Sequence, residues 1–193
     1  MKRFTSLLAS LAVACLSLTF VGCDEDYEVA DTLWGVWEGN MYVENYYNGM
    51  SYRSSYSVIQ FDLSPNKYDA GTGYWVDYYS NAPWDYFASH IEWVVSDGEI
   101  KIYSYEDDSY FYIYDYSLSD HHFSGYIVSE YGEPMKFYLK KTASPDWNDF
   151  DWGWGYTIGY SREGVNRSAT GTKNQAIDFG EDKPVRSIGE INN

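Results

Sequence analysis

Few residues of this 193-residue chain have the types and spacing that enzyme chemistry needs. Its histidines are His90, His121 and His122. His121 and His122 follow Asp120, but neighbours on a strand face opposite sides, so they do not converge on one metal. The run from Asp146 through Asn148, Asp149 and Asp151 to Gly153 offers the oxygens of a calcium loop. It fails the spacing, because Phe150 stands where the third ligand belongs and no Glu closes the loop. It reads as a solvated acidic loop. Neither a Gly-rich phosphate loop nor a Gly-x-Ser-x-Gly elbow occurs, and the carboxylates are too many to single out a pair. We expect no enzyme, no cofactor and no metal. What the chain has in quantity is binding chemistry: 22 Tyr, 9 Phe and 8 Trp. Flat rings with polar tips suit half-buried strands first and ligand contacts second.

The formal charge is −16, and the excess lies in residues 24–160, since 161–193 balance. Such a field repels phosphate backbones, which excludes nucleic acid as a partner, and repels anionic membrane surfaces unless something else holds the chain there. It reads as solubility and self-repulsion at a crowded surface. Attraction of cations, or of basic or neutral partners, is the alternative.

Cys23 is the residue with a chemical role. Met1-Lys2-Arg3 is a basic start, and the apolar run from Leu7 to Phe20, ~14 residues, is too short to span a bilayer and right for a signal core. It ends Phe20-Val21-Gly22-Cys23, which resembles the lipobox of bacterial lipoproteins, with Phe20 where Leu is usual. The resemblance implies cleavage after residue 22 and acylation of Cys23; a plain secretory signal is the alternative. Cys15 leaves with the leader, so Cys23 has no intramolecular disulfide partner. Acyl chains supply ~0.8 kcal/mol per buried CH₂, and more than one makes a stable anchor. Asp24-Glu25-Asp26-Tyr27-Glu28 follows, so residues 23–32 read as a solvated acidic tether. In some Gram-negative lipoproteins a similar acidic run directs export to the surface; in other bacteria an Asp after the Cys retains the protein at the inner membrane. The run continues past Asp24, which favours a lipid-anchored, surface-exposed protein of the outer membrane.

Residues 33–142 carry eight strand-like runs with short links. They are 34–47, 51–63, 67–79, 84–95, 99–105, 109–118, 123–130 and 134–142. Asn48-Gly49 and Asp97-Gly98 are hairpin turns, Ser64-Pro65-Asn66 is a turn, and Gly71-Thr72-Gly73 marks a bulge or a tight bend. This predicts an all-β fold: one antiparallel up-and-down eight-stranded barrel, which removes exposed edges. A two-sheet sandwich is the rival, but its crossings disagree with the short links. Alternation puts Ile59, Phe61, Ile91, Trp93, Ile100, Ile102, Phe137 and Leu139 on the inner face. In the sixth run Tyr110, Tyr112, Tyr114 and Tyr116 share one face. They form either an outer ladder, the preferred reading, or a Tyr-lined lumen.

Gly35-Val36-Trp37 is similar to the Gly-x-Trp motif that opens strand one of lipocalins. Gly71-Thr72-Gly73 and Ile91-Glu92-Trp93 leading to Asp97-Gly98 resemble the layout of bacterial lipocalin-like lipoproteins. The resemblance implies that Trp37 plugs the closed end under a basic residue, for which Lys140 and Lys141 are at hand, and that a small-molecule pocket opens at the other mouth. Residues 143–160 contain Trp147, Trp152 and Trp154 among acids and glycines. They read as an aromatic strap across the barrel, or as a platform for glycan rings. Residues 161–193, with Phe179 as their one aromatic, read as a disordered tail. The expected function is a membrane-anchored, lipocalin-like lipoprotein binding a small, partly apolar molecule in the lumen. The alternatives are a surface glycan-binding module and a structural subunit of an envelope complex.

Overall fold

The structure is a computed structural model that describes residues 21–130, 132–156 and 175–189. In chain order it contains α1 (Val21–Leu33), β1 (Gly35–Asn40), β2 (Val43–Tyr47), β3 (Met50–Arg53), β4 (Tyr56–Ser64), β5 (Lys67–Tyr78) and β6 (Tyr86–Ser96). There follow β7 (Glu99–Ser104), β8 (Ser109–Leu118), β9 (His122–Ser129), β10 (Met135–Thr142), a 3₁₀ turn (Trp147–Asp149), β11 (Gly153–Tyr156), β12 (Gln175–Ala176) and β13 (Val185–Ile188). Eight of these close an antiparallel barrel in the order β1-β4-β5-β6-β7-β8-β9-β10, with β10 returning to β1. Period-2 alternation makes the wall: Ile100 and Ile102 of β7 are buried, and Lys101 and Tyr103 between and beyond them face out. Closure rules out the two-sheet sandwich. Asn48-Gly49 and Asp97-Gly98 both turn with two positive φ angles, the geometry of a tight primed hairpin.

Three departures from a plain meander matter. The first two runs do not continue as single strands. Tyr42 sits at φ 56°, with its N–H held by Asn40 Oδ1 at 2.7 Å, and the chain bends. The hairpin β2–β3 then folds over one mouth and takes β13 as a third strand. Second, the glycines of β5 make no bulge. The ladder stays in register from Phe61↔Gly73 to Leu63↔Gly71 and shifts only beyond Gly71, where Ser64 pairs with Lys67. A Cβ on either glycine would meet a β4 carbonyl oxygen, so they permit a close approach of the two strands. Third, β8 bulges between Tyr114 and Ser117, with Asp115 at φ 47°.

Both ends are covered by segments expected to be unstructured. The acidic run is helix, not tether. Val29, Ala30 and Leu33 fall on one side of α1, and Ala30 and Leu33 are fully buried against the barrel end. One turn earlier, Asp26 accepts hydrogen bonds from the N–H groups of Asp97 and Gly98, at 3.2 and 3.4 Å, across the neighbouring hairpin. Composition pointed to solvation, but three apolar residues at helical spacing suffice when an apolar end awaits them. Burying Leu33 alone is worth about 1.5–3 kcal/mol. At the other end the expected tail is ordered from 175 to 189: β12 pairs with β11, and β13 pairs with β2. Residues 161–174 and 190–193 lie outside the described residues, as do residues 1–20 of the expected 1–22 leader and residues 157–160 of the strap.

The strap packs on the outside of the barrel. β11 adds to the first half of β6, which β7 does not reach, because β7 stops at Ser104 opposite Ile91. Phe150 joins Val36, Val58, Val76, Tyr86 and Ala88 in an outer apolar cluster. A further cluster, near the β2–β3 mouth, centres on Trp84, whose ring contacts Tyr47, Tyr52, Tyr79, Trp154 and Phe179 at centroid distances of 5.4–6.4 Å.

Candidate functional site

The eight positions expected to line the lumen, Ile59, Phe61, Ile91, Trp93, Ile100, Ile102, Phe137 and Leu139, all face inward and belong to one buried cluster. They pack on one another and on other inward rings: Phe61 meets Trp93 over the β5 glycines at 5.6 Å, Trp75 of β5 reaches across to Phe111 of β8 at 4.9 Å, and Phe123 meets Phe137 of the adjacent strand at 4.9 Å. Leu33 closes one end. Met41, Val43 and Ile188 close the other. The interior is therefore a packed core of the protein's own side chains rather than an open cup.

The opening motif brings Trp37 and a lysine of the last barrel strand together at the α1 end. The Trp37 indole donates to the Leu33 carbonyl at 2.7 Å, and the Lys141 ammonium lies 5.1 Å from its ring centre. Lys140 instead pairs with Glu38 at 3.0 Å. Gly35 is favoured by its φ of +125°, and a Cβ there would also push aside the flexible end of Lys141 where it passes to Trp37.

The opposite mouth holds a group that the sequence did not announce. Arg186, on β13, is fully buried and forks onto Asp77 Oδ2 with its Nε at 3.0 Å and Nη2 at 2.7 Å. Its Nη1 reaches Asp107 at 3.2 Å. The guanidinium carbon lies 4.1 Å from the Trp75 ring centre, 4.8 Å from Phe111 and 4.9 Å from Phe87. Asp77 Oδ1 also accepts from Ser57 at 2.5 Å and from the Trp75 indole at 2.9 Å. Burial pushes the Asp77 carboxyl up, against the pull of Arg186. Burial also penalises the guanidinium, but Asp77 and Asp107 outweigh it and keep Arg186 charged. The Tyr79 phenol is raised well above its usual value by burial, then by Asp77, and stays neutral.

Open chemistry also lies on the outer wall. Gln60, Tyr74 and His90 stand side by side on neighbouring strands. Trp147 and Trp152 cover this row, 5.1 and 5.4 Å from Tyr74, and Trp152 tilts over His90 at 3.7 Å. Trp147 also donates to Gln60 at 2.6 Å. The next row is Asp62, Thr72, Glu92, Tyr103 and Tyr110. A cavity of about 980 Å³ opens over it, lined by Thr72, Glu92, Lys101, Tyr103 and Tyr110, with Lys67 and Asp69 at the rim. Tyr103 and Tyr110 lie 4.9 Å apart, and the Lys101 ammonium sits 4.3 Å from the Tyr110 ring. Tyr103 donates to Asp108 at 2.7 Å, and that bond pushes its phenol up to about 12. Glu92 holds the Tyr105 phenol above its usual value by the same kind of bond.

Of the three tryptophans considered for glycan contact, Trp147 and Trp152 are half-buried in the row beside this cavity, while Trp154 is buried against Phe87. The preferred outer ladder holds for Tyr110, Tyr112 and Tyr114, with Phe111 and Ile113 buried opposite. Tyr116 departs from it. The bulge at Asp115 shifts the register by one, and its ring turns in against Phe123, at 6.2 Å. Asp146 accepts from the Asn148 N–H at 3.0 Å and caps the 3₁₀ turn. His122 is bonded to Tyr138 at 2.6 Å. Cys23 lies near the start of α1. Among the described residues no helix is long and apolar enough to cross a membrane. No family model, curated protein or solved structure matches the chain.

Proposed function

We propose that the chain is a lipocalin-like lipoprotein, held at the outer membrane surface by an acylated Cys23, that binds a neutral oligosaccharide on its outer wall. The single observation that carries the ligand class is the open cavity on β5–β8. Ring faces at Tyr103 and Tyr110 stand beside carboxylates at Glu92 and Asp69 and ammonium groups at Lys67 and Lys101. Sugar rings present C–H faces for stacking and hydroxyls that both donate and accept, and this wall supplies partners for each. The adjacent Trp147–Tyr74–Trp152 row extends the platform. The packed interior favours this wall over the lumen, and so favours a glycan over a small apolar molecule. The acidic surface suits a neutral ligand better than an anionic one.

The reading is tested by titrating the chain, lacking its leader, with a panel of neutral oligosaccharides by calorimetry. At least one should bind, and Tyr110→Ala should weaken it about tenfold or more, the scale of one lost stacking contact plus its neighbours. Binding that survives Tyr103→Ala/Tyr110→Ala unchanged would end the outer-wall assignment. For the anchor, Cys23→Ser should release the protein from membranes of a lipoprotein-processing host.

A further inference from the structure

The Arg186 pocket at the β2–β3 mouth is built for more than the residue that fills it. Two carboxylates, Asp77 and Asp107, converge on one guanidinium. Asn45, fully buried and opposite Arg186 in the β2–β13 register, gives its amide N–H to Tyr79 at 2.7 Å. Its Oδ1 has no hydrogen-bond partner among the described residues. The walls are flat rings, Trp75, Phe87 and Phe111. Forked carboxylate contact with ring faces above and beside it matches a planar guanidinium and not a round ammonium.

The occupant is delivered by a slender element. β13 is four residues long, and its first residue, Val185, is 49% exposed. It ends its three-stranded sheet with β2 as its strand partner, and its other side meets Gly132, close to the Ile188 carbonyl. Besides Arg186, only Ile188 sinks an apolar side chain into the core, and Ser187 and the Ile188 N–H are tied to Ser129 at 3.1 and 2.9 Å. An extended segment added to a strand with one anchoring side chain is also how strand-addition ligands bind.

The geometry points to the barrel mouth as an alkyl-guanidinium binding site that β13 occupies in cis as a tethered ligand. The recognised chemistry is a guanidinium on an alkyl stem, and it has two sources: a free small molecule, or an arginine side chain presented on an extended peptide. The site is separate from the outer wall. It stands whether or not a glycan binds there.

The test uses the full mature chain carrying Arg186→Ala, which empties the cage but leaves the β13 backbone and Ile188. One arm adds agmatine, with n-butylamine as the ammonium control. The other adds a peptide of residues 181–190, with an Arg186→Ala version as its control. The expected result is a rise in Tm of about 5 °C or more with agmatine or with the arginine peptide, and none with the controls. A response to agmatine assigns the free guanidinium. A response to the peptide alone assigns a strand-borne arginine. If the folded variant responds to neither, or equally to butylamine, the proposal is overturned. Should Arg186→Ala not fold, amide exchange in the wild-type chain decides. Either guanidinium ligand should speed exchange at Val185–Ile188 by about tenfold through displacement, and unchanged exchange overturns the site.

Discussion

The ordered C-terminal segment makes a quantitative claim about Arg186. Arg186 and Asp77 are both fully buried, with the guanidinium forked on the carboxylate at 2.7 and 3.0 Å. Arg186→Ala removes the cation that faces Asp77 among the described residues and leaves its carboxylate with two donors there, Ser57 and Trp75. Breaking one side of such a pair costs about 3–5 kcal/mol, because a charge is left buried and uncompensated. A domain of this size has only about 5–15 kcal/mol in total. In urea, with a slope near ~2 kcal/mol per M, the midpoint should fall by about 2 M with the slope unchanged. Asp77→Asn alone should cost less, since Arg186 keeps Asp107. In the double variant Arg186→Ala/Asp77→Asn the loss should fall short of the sum of the single losses by about 1.5–3 kcal/mol. A disordered tail gives a different answer: an exposed arginine changes stability by no more than about 0.5 kcal/mol. An Arg186→Ala loss of that size, or strict additivity with Asp77→Asn, would refute the buried pair.

Two further outcomes follow from the same structure. Leu33→Ala should destabilise the barrel by about 2–5 kcal/mol in thermal or urea unfolding, and Asp26→Asn by about 0.5–1.5 kcal/mol; a solvated tether would show neither loss. Acid should loosen the β2–β3 hairpin before the wall. Burial pulls the Glu44 carboxyl upward, but hydrogen bonds from Ser51, Arg53 and Tyr46 and the charge on Arg53 outweigh it and hold it below its free value of 4.5. Its contribution is complete above pH 4.5 and is lost as pH falls through the lower folded value. Asp77 has the opposite sign: burial raises it above its free value of 3.8, so protonating it, as pH falls from its raised folded value towards 3.8, favours the fold. Amide protection in β2–β3 that stays level with β4–β10 down to about pH 3 would contradict this.

The sequence by itself determined the wall. Eight runs of alternating residues, two Asn-Gly or Asp-Gly turns and a Pro-Asn break are local signals, and each is read within about ten residues. Trp37, Gly35 and Lys141 were legible for the same reason: strand order and alternation place the last strand beside the first. The tertiary structure decided everything that depends on what an end of the barrel needs. α1 reads as soluble acid by composition, and only the apolar end beneath it makes Ala30 and Leu33 worth burying. Phe179 and Ile177 were the visible signs that the tail is not wholly polar, and both pack near Trp84 and Trp154. Arg186 gave no sign at all. Its partners lie 109 and 79 residues away, and a charge in a polar stretch looks solvated until two buried carboxylates and three rings are brought around it. The outer site was half legible. Trp147 and Trp152 were marked by type, but the cavity beside them depends on which strands neighbour in space, β5 through β8. That choice between filled interior and open exterior is made by packing. The sequence assigns a face to each residue, and only the closed three-dimensional wall decides whether any space remains between the faces.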